Sequence, residues 1–541
     1  MFYSVLVVGA GPTGLAMAAE LARQGVPCRV IDKTRVSSGK SKAIVVQART
    51  LELLSLMQLA DDFVAAGHPV HAVNIYSNGK RIVRLRFDDL DSAYPYILVL
   101  AQTETERILG DRLRQLGVVV ERGVELLSLS QDAEKATVEL RHPDGHTERS
   151  RVDWIVGCDG PHSTVRRALD IPFEGHAFEQ LFVLADVHVQ SELNDDEAHI
   201  FSQHGDICAI FPLGRGRFRV IADNPRESMA GHDPTLGEIQ EMVSARVHEP
   251  VTLSDPEWTA AFAVNSRMVA QLRSRRVFLA GDAAHIHSPA GGQGMNTGIQ
   301  DAVNLAWKLA LVCSGRSDPS LLDSYQSERY PVERSVLRQT DMLFRIAGAS
   351  GGFGAFVREH VAPLLGNLNF VQREAARAIS EIDIEYEHSS IVEDHYVPNG
   401  PRAGDRAPNA VARLAPDGAT VHVLDACSRP QHTLLMIVDG PDQVTLAENV
   451  SRKLDTLYGD AITPVIVSDP IAPPEGQRAQ PQSTTRQPLS LREEYGTVRP
   501  AMYLVRPDGY IGFRGSLTAS GDVLLQYLAR LMPHGIKSGT A

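Results

Sequence analysis

Two clusters of small residues in this chain have the types and spacing needed to hold a nucleotide and a polar ring. The first, Gly9-Ala10-Gly11-Pro12-Thr13-Gly14, follows the apolar run Val5–Val8 directly. Gly9 permits a tight turn, Gly11 lets backbone approach a pyrophosphate, and Gly14 lets a helix lie close on a strand. Asp32 closes a second strand-like run, residues 26–31, where a carboxylate can accept hydrogen bonds from a ribose. The second cluster lies within residues 266–308. There an apolar run ends in Gly281-Asp282, and Ser288-Pro289-Ala290-Gly291-Gly292-Gln293-Gly294-Met295-Asn296 leads into a helical pattern. Free amides and the positive dipole end of such a helix start suit an electron-rich ring.

The elements that must position these clusters can be read around them. Strand, glycine turn, helix and strand follow one another over residues 5–32, the order of a dinucleotide-binding unit. A third apolar run, residues 154–158, ends at Asp159, which can cap the helix after it through its side chain. The Ser77-Asn78-Gly79-Lys80 turn between alternating residues predicts a hairpin over 71–87. From 178 to 224 the pattern becomes repeated short strands with polar or glycine-bearing turns, an antiparallel sheet with one buried face.

Composition narrows the class. The chain has 541 residues, 43% of them hydrophobic and 22% charged, so a large core is affordable in an ordinary globular protein. A formal net charge of −13 argues against nucleic acid or an anionic membrane surface as partner. No apolar run reaches the roughly 18 residues of a membrane span. The N-terminus opens on a strand, leaving no room for a signal peptide, so a cytoplasmic location is expected. The five cysteines, Cys28, Cys158, Cys208, Cys313 and Cys427, form no CxxC pair, which fits a reducing compartment and excludes a disulfide framework. His285 and His287 invite a metal reading, but no carboxylate or cysteine spacing beside them supports one, and no metal is expected.

With Ser41-Lys42-Ala43-Ile44-Val45-Val46-Gln47-Ala48-Arg49-Thr50-Leu51-Glu52, the Asp159-Gly160-Pro161-His162-Ser163-Thr164-Val165-Arg166 segment (DGxxSxVR) and the Gly281-Asp282 cluster in order, the chain resembles the class A flavin-dependent aromatic hydroxylases. This is the group related to para-hydroxybenzoate, phenol and polyketide hydroxylases. The resemblance implies an α/β fold: a Rossmann-like FAD-binding domain, an inserted antiparallel-sheet substrate domain and a C-terminal thioredoxin-like domain. Expected divisions are 1–177, FAD-binding with a hairpin insertion near 70–100; 178–265, the substrate sheet; 266–398, the completed FAD-binding domain with a helical segment; and 399–541, the thioredoxin-like part. It further implies that FAD is held by Gly9, Gly11, Pro12, Thr13, Gly14, Asp32 and Lys33 at the ADP end. Arg49 would serve the phosphates, Gln102 and Asp159 the cleft, and the backbone near Val124 the adenine. Asp282 would take a ribityl hydroxyl, with Pro289, Gly292, Gly294, Met295 and Asn296 around the flavin ring. Lys42 departs from the arginine that many relatives carry there.

The implied reaction reduces the flavin with NADPH or NADH, adds O2 at flavin C4a, and transfers one oxygen to a phenolic or polycyclic aromatic substrate. An epoxidase or other non-aromatic oxygenase on this scaffold, or a non-catalytic flavin-binding protein, are the alternatives. A halogenase would need a WxWxIP segment, which is absent. No catalytic residue is identifiable: Tyr94, Tyr96, His204, Arg219 and His287 are candidates for activating a phenol, each with a structural role as the competing reading. The C-terminal region lacks CxxC, so packing or homodimer formation is expected there rather than thiol chemistry.

Overall fold

The computed structural model describes residues 3–36, 41, 43–203, 206–224, 233–289, 291–347, 368–395, 397, 399–415, 417–469, 489–496 and 500–535. Lys42, His204, Ala290, nearly all of the glycine-rich stretch 347–354 and of the polar loop 469–488 lie outside them.

The first cluster is built on a six-stranded sheet in the order Arg273–Ser274, Val277–Leu279, Trp154–Gly157, Val5–Val8, Cys28–Asp32, Val120–Arg122. All neighbours are parallel except the first pair. The central strands are apolar throughout because helices cover them, and Val5, Val7, Val30, Ile155, Val156 and Phe278 are wholly buried. Register matters more than membership. Val8 lies opposite both Ile31 and Gly157, and Gly157 opposite Leu279. Four parallel strands therefore end at one level, and the residues just past or at those ends are Gly9, Asp32, Asp159 and Asp282. A ligand binds a parallel sheet at this carboxyl edge. A three-stranded antiparallel meander, Glu125–Gln131, Ala136–Arg141 and Thr147–Val152, links Val120–Arg122 to Trp154–Gly157.

The second large sheet has eight strands in the order His285–Ile286, Thr252–Met268, Glu174–Gln190, Arg217–Asn224, Asp206–Gly214, Glu197–Gln203, Ala72–Ser77, Lys80–Arg86. The repeated strands of 178–224 are antiparallel. The expected hairpin is present, with Asn78 and Gly79 both at positive φ (47° and 77°), the conformation of a type I′ turn. It does not stand by itself: Ala72–Ser77 pairs in parallel with Glu197–Gln203 and extends this sheet.

Beyond it, Asp323–Ala347 is one long helix with Pro331 inside, and the last sheet has seven strands. Their order is Glu393–Asp394, Ile511–Ser516, Ala501–Val505, His432–Ile437, Ile462–Ser468, Val411–Leu414, Thr420–His422, with helices Pro441–Tyr458 and Gly521–Leu531 in the same region. Among the described residues no helix is long and apolar enough to cross a membrane.

Candidate cofactor site

The site forms where the helix Pro12–Arg23 meets the helix Gly294–Cys313. Gly9 has φ +105° and a Cβ there would sit 2.3 Å from the Cys158 carbonyl oxygen; at Gly14 a Cβ would sit 1.9 Å from the Gly9 carbonyl oxygen. Both positions are reserved for glycine by backbone that cannot move aside. At Gly11 a Cβ would meet nothing within 4 Å, so the backbone there is open to approach. Thr13 joins the two clusters: its side chain fits where a Cβ on Gly281 (2.5 Å) or Gly298 (2.4 Å) would be. Residues nearly three hundred apart in sequence thus share one wall.

Asp32 accepts from the Ala10 amide at 2.8 Å with one oxygen and from the Thr34 amide and hydroxyl with the other. It pins the glycine turn to the second strand, while Lys33 beside it is exposed. Val124 is buried in the core. Asp159 caps the next helix, accepting from the Thr164 and Val165 amides and the Ser163 hydroxyl. Arg166, from the same segment, donates to the Ala283 carbonyl at 2.8 Å and so fastens the turn that carries Asp282. Asp282 stands exposed at the sheet's carboxyl edge, as does Pro289 further along the loop.

The loop after Pro289 is held against residues 45–47. Asn296 is wholly buried; it donates to the Val45 and Gly292 carbonyls and accepts from the Gln47 amide at 2.8 Å. Gln47 in turn donates to the Gly291 carbonyl. Gly292, at φ +63°, abuts Val45. Gly294 and Met295 remain half-buried, and no side chain caps the helix they begin. The first-turn amides of a helix have no partner within it, so this edge offers donors where a ring carbonyl or anion can dock. Gln102 lies on the other side of residues 41–43, accepting from the Ala43 amide and donating to Glu106.

Arg49, expected at the phosphates, has protein partners. Its side chain is wholly buried, donating to Glu52 at 3.0 Å and to the Asp508 carbonyl at 2.8 Å, with its guanidinium 4.5 Å over the Tyr510 ring. Its helix Ala48–Leu56 thus turns this side chain towards residues 508–510.

The phenol-activating candidates divide similarly. Arg219 is wholly buried in a two-point pair with Asp186, which also accepts from Trp258, so it is structural. Burial pushes the hydroxyl of Tyr96 up to about 12 and that of neighbouring Tyr94 upward. Burial pushes His287 down to about 4, and its Nδ1 lies 2.9 Å from the Ser288 carbonyl.

A group that sequence spacing did not disclose lies beneath the Gly281 turn. Asp301 accepts from the Gly281 amide, from Arg329 at 2.7 Å and lies 2.8 Å from Nε2 of His285, with Glu333 also close. One ligand-type atom each from His285, Asp301 and Glu333 falls within 4.8 Å of the others. Burial opposes a charged His285, but Glu333 and Asp301 outweigh it and hold the imidazole up at about 9. Burial and the neighbouring Asp301 in turn raise Glu333 to about 8, and Arg329 pairs directly with Asp301. The available signal was Asp301, Asn304 and Lys308, ionisable or amide side chains spaced along the buried length of the helix Gly294–Cys313.

The FAD binding domain family matches residues 3–340. The 6-methylpretetramide 4-monooxygenase of Streptomyces rimosus is 34% identical over 99% of this chain and 95% of its own. The pentachlorophenol 4-monooxygenase of Sphingobium chlorophenolicum is 32% identical over 98% and 96%. The solved structure of OxyS anhydrotetracycline hydroxylase from Streptomyces rimosus superposes with a TM-score of 0.77 at 29% identity, covering 99% of this chain and all of that one. The chain belongs to the FAD-dependent aromatic hydroxylases of class A, with the mixed α/β fold of that family. Within it, this protein is an enzyme, a flavoprotein monooxygenase.

Proposed function

We propose that the protein hydroxylates the aromatic ring of a phenolic, fused-ring substrate, using FAD, O2 and NAD(P)H. The carrying observation is the common carboxyl edge at which Gly9, Asp32, Asp159 and Asp282 meet, with Thr13 locking the two glycine clusters together. Full-length similarity to enzymes named for pretetramide and chlorophenol substrates supports the substrate class.

In this reading the six-stranded unit is Rossmann-like and takes the ADP end of FAD over Gly9 to Asp32. Asp282 receives a ribityl hydroxyl, and the amides at Gly294 and Met295 receive the ring's carbonyl edge. Bound FAD, once reduced, supplies the activation of O2. The chain's own part is to orient the ring with fixed amides and to exclude water with the eight-stranded sheet, leaving the reactive step to the cofactor. Residues 399–541 are read as thioredoxin-like in fold only, since burial pushes the one thiol there, Cys427, up to about 12.

The test is purification followed by a screen of mono- and polycyclic phenols for stimulated NAD(P)H oxidation, with product mass measured. Gain of one oxygen atom on a fused-ring phenol is the expected result. Colourless protein that takes up no FAD, or flavin-loaded protein whose NAD(P)H oxidation no phenol stimulates, would count against the proposal.

A further inference from the structure

The C-terminal region meets the flavoprotein core at several places, among them Arg406 with Glu52 and Asp91 and the Ser428 carbonyl with Arg23, and one of them is a buried turn, Arg506-Pro507-Asp508-Gly509-Tyr510. Asp508 is bound from two helices at once. From Gly294–Cys313, Trp307 donates through Nε1 to the Asp508 carboxylate at 3.0 Å and Asn304 lies 3.4 Å from the same oxygen. From Ala48–Leu56, Arg49 donates to the Asp508 backbone carbonyl at 2.8 Å. Gly509, at φ +74°, packs beside them: a Cβ there would lie 3.0 Å from Leu56 and 3.4 Å from Arg49. Arg506 holds the turn in shape, donating to Asp508 and, at 2.7 and 2.9 Å, to both oxygens of Glu328 on the helix Asp323–Ala347.

These two helices begin at the cofactor loop. Gln47 immediately precedes one and Asn296 sits in the first turn of the other, and their mutual hydrogen bond, with that of Gln47 to Gly291, closes the loop 291–296. The pair is therefore tied twice, at its N-terminal ends by Gln47 and Asn296 and further along by Asp508. The second tie joins the Asp508 carboxylate to neutral donors on one helix and its backbone carbonyl to Arg49 on the other. The buried charges at it are paired, Asp508 with Arg506 and Arg49 with Glu52, so displacement leaves a buried group without its partner.

We propose that the 506–510 turn is a positioning element for the flavin ring: Asp508 sets the spacing of the two helices and thereby the geometry of the loop that receives the ring. The inference rests on the FAD reading above. It gives the C-terminal region a task in the active site that needs neither a thiol nor a second subunit. The loop that the turn orders, Gln47 with residues 291–296, lies at the ring end, so its effect is expected there more than at Gly9 to Asp32, which the same helix meets through Thr13 at Gly298.

The experiment measures FAD and ADP dissociation constants on the flavin-stripped full chain for the wild type, Asp508→Asn and Trp307→Phe. Trp307→Phe removes the donor to Asp508 while leaving an aromatic ring to pack beside His432 and Arg506, and it provides a second variant if Asp508→Asn does not fold. Expected is a loss of FAD affinity of about tenfold or more in each variant, with ADP affinity changed by less than about twofold. FAD and ADP weakening together would reveal general destabilisation and overturn the proposal, as would FAD affinity unchanged in both variants. Wild-type protein that binds no FAD would sink the flavin reading itself, whereas unaltered variants of a wild type that binds FAD sink only this proposal.

Discussion

At Glu381 the backbone adopts φ +60°, an unusual conformation for a residue with a side chain, and the carboxyl is buried against the flavin-loop helix. It accepts from Gln300 at 2.7 Å and Thr297 at 3.3 Å. Burial raises it from an ordinary 4.5 to about 8, and Arg329 offsets only part of that. The folded chain therefore keeps this proton between those values while the unfolded chain has lost it. Stability present below pH 4.5 is lost as pH rises towards 8, by at most about 1.4 kcal/mol per pH unit. Thermal unfolding of Glu381→Gln across pH 5 to 8 should show a shallower decline than the wild type; identical slopes would refute a neutral Glu381. Arg49 carries a different lesson at this scale. One arginine at a helix start reads the same whether it faces a phosphate or protein, and the partners found here, the Glu52 carboxylate and the Asp508 backbone carbonyl 459 residues away, are set by the folded chain.

Elements explain why the glycine pattern was readable. Strand, turn and helix over 5–32 are encoded by neighbours in sequence, and each glycine answers a local steric demand. Gly14 gives the sharpest case, since its missing Cβ would meet a backbone carbonyl oxygen rather than a yielding side chain. Gly14→Ala should cost at least the roughly 1–3 kcal/mol of an overpacked core and displace the helix Pro12–Arg23. Urea unfolding, with FAD retention measured alongside, checks it; a wild-type midpoint would show that the strand and helix are not in fact this close. The hairpin over 71–87 was equally legible from its Asn-Gly turn, but its parallel pairing with Glu197–Gln203 was not, because a partner more than a hundred residues away lies outside any local window.

For the whole molecule, the five cysteines are all free thiols, four of them buried and dispersed through the fold. Nothing covalent ties the regions together; buried ion pairs and apolar contact do. A reductant such as dithiothreitol should leave both the unfolding temperature and NAD(P)H oxidation unchanged, and a drop in either would expose a disulfide or thiol function. By itself the sequence determined the nucleotide turn, the carboxylates at strand ends, the helix starts and the flavoprotein class, since each depends on residues adjacent in the chain. Only the tertiary structure decided that four strand ends share one level, that Thr13 bridges to Gly281, that His285 meets Asp301 and Arg329, and that Arg49 belongs to Asp508. Those outcomes depend on register and on charges that must find partners once water is gone, and such partners are chosen by the folded interior, not by spacing along the chain.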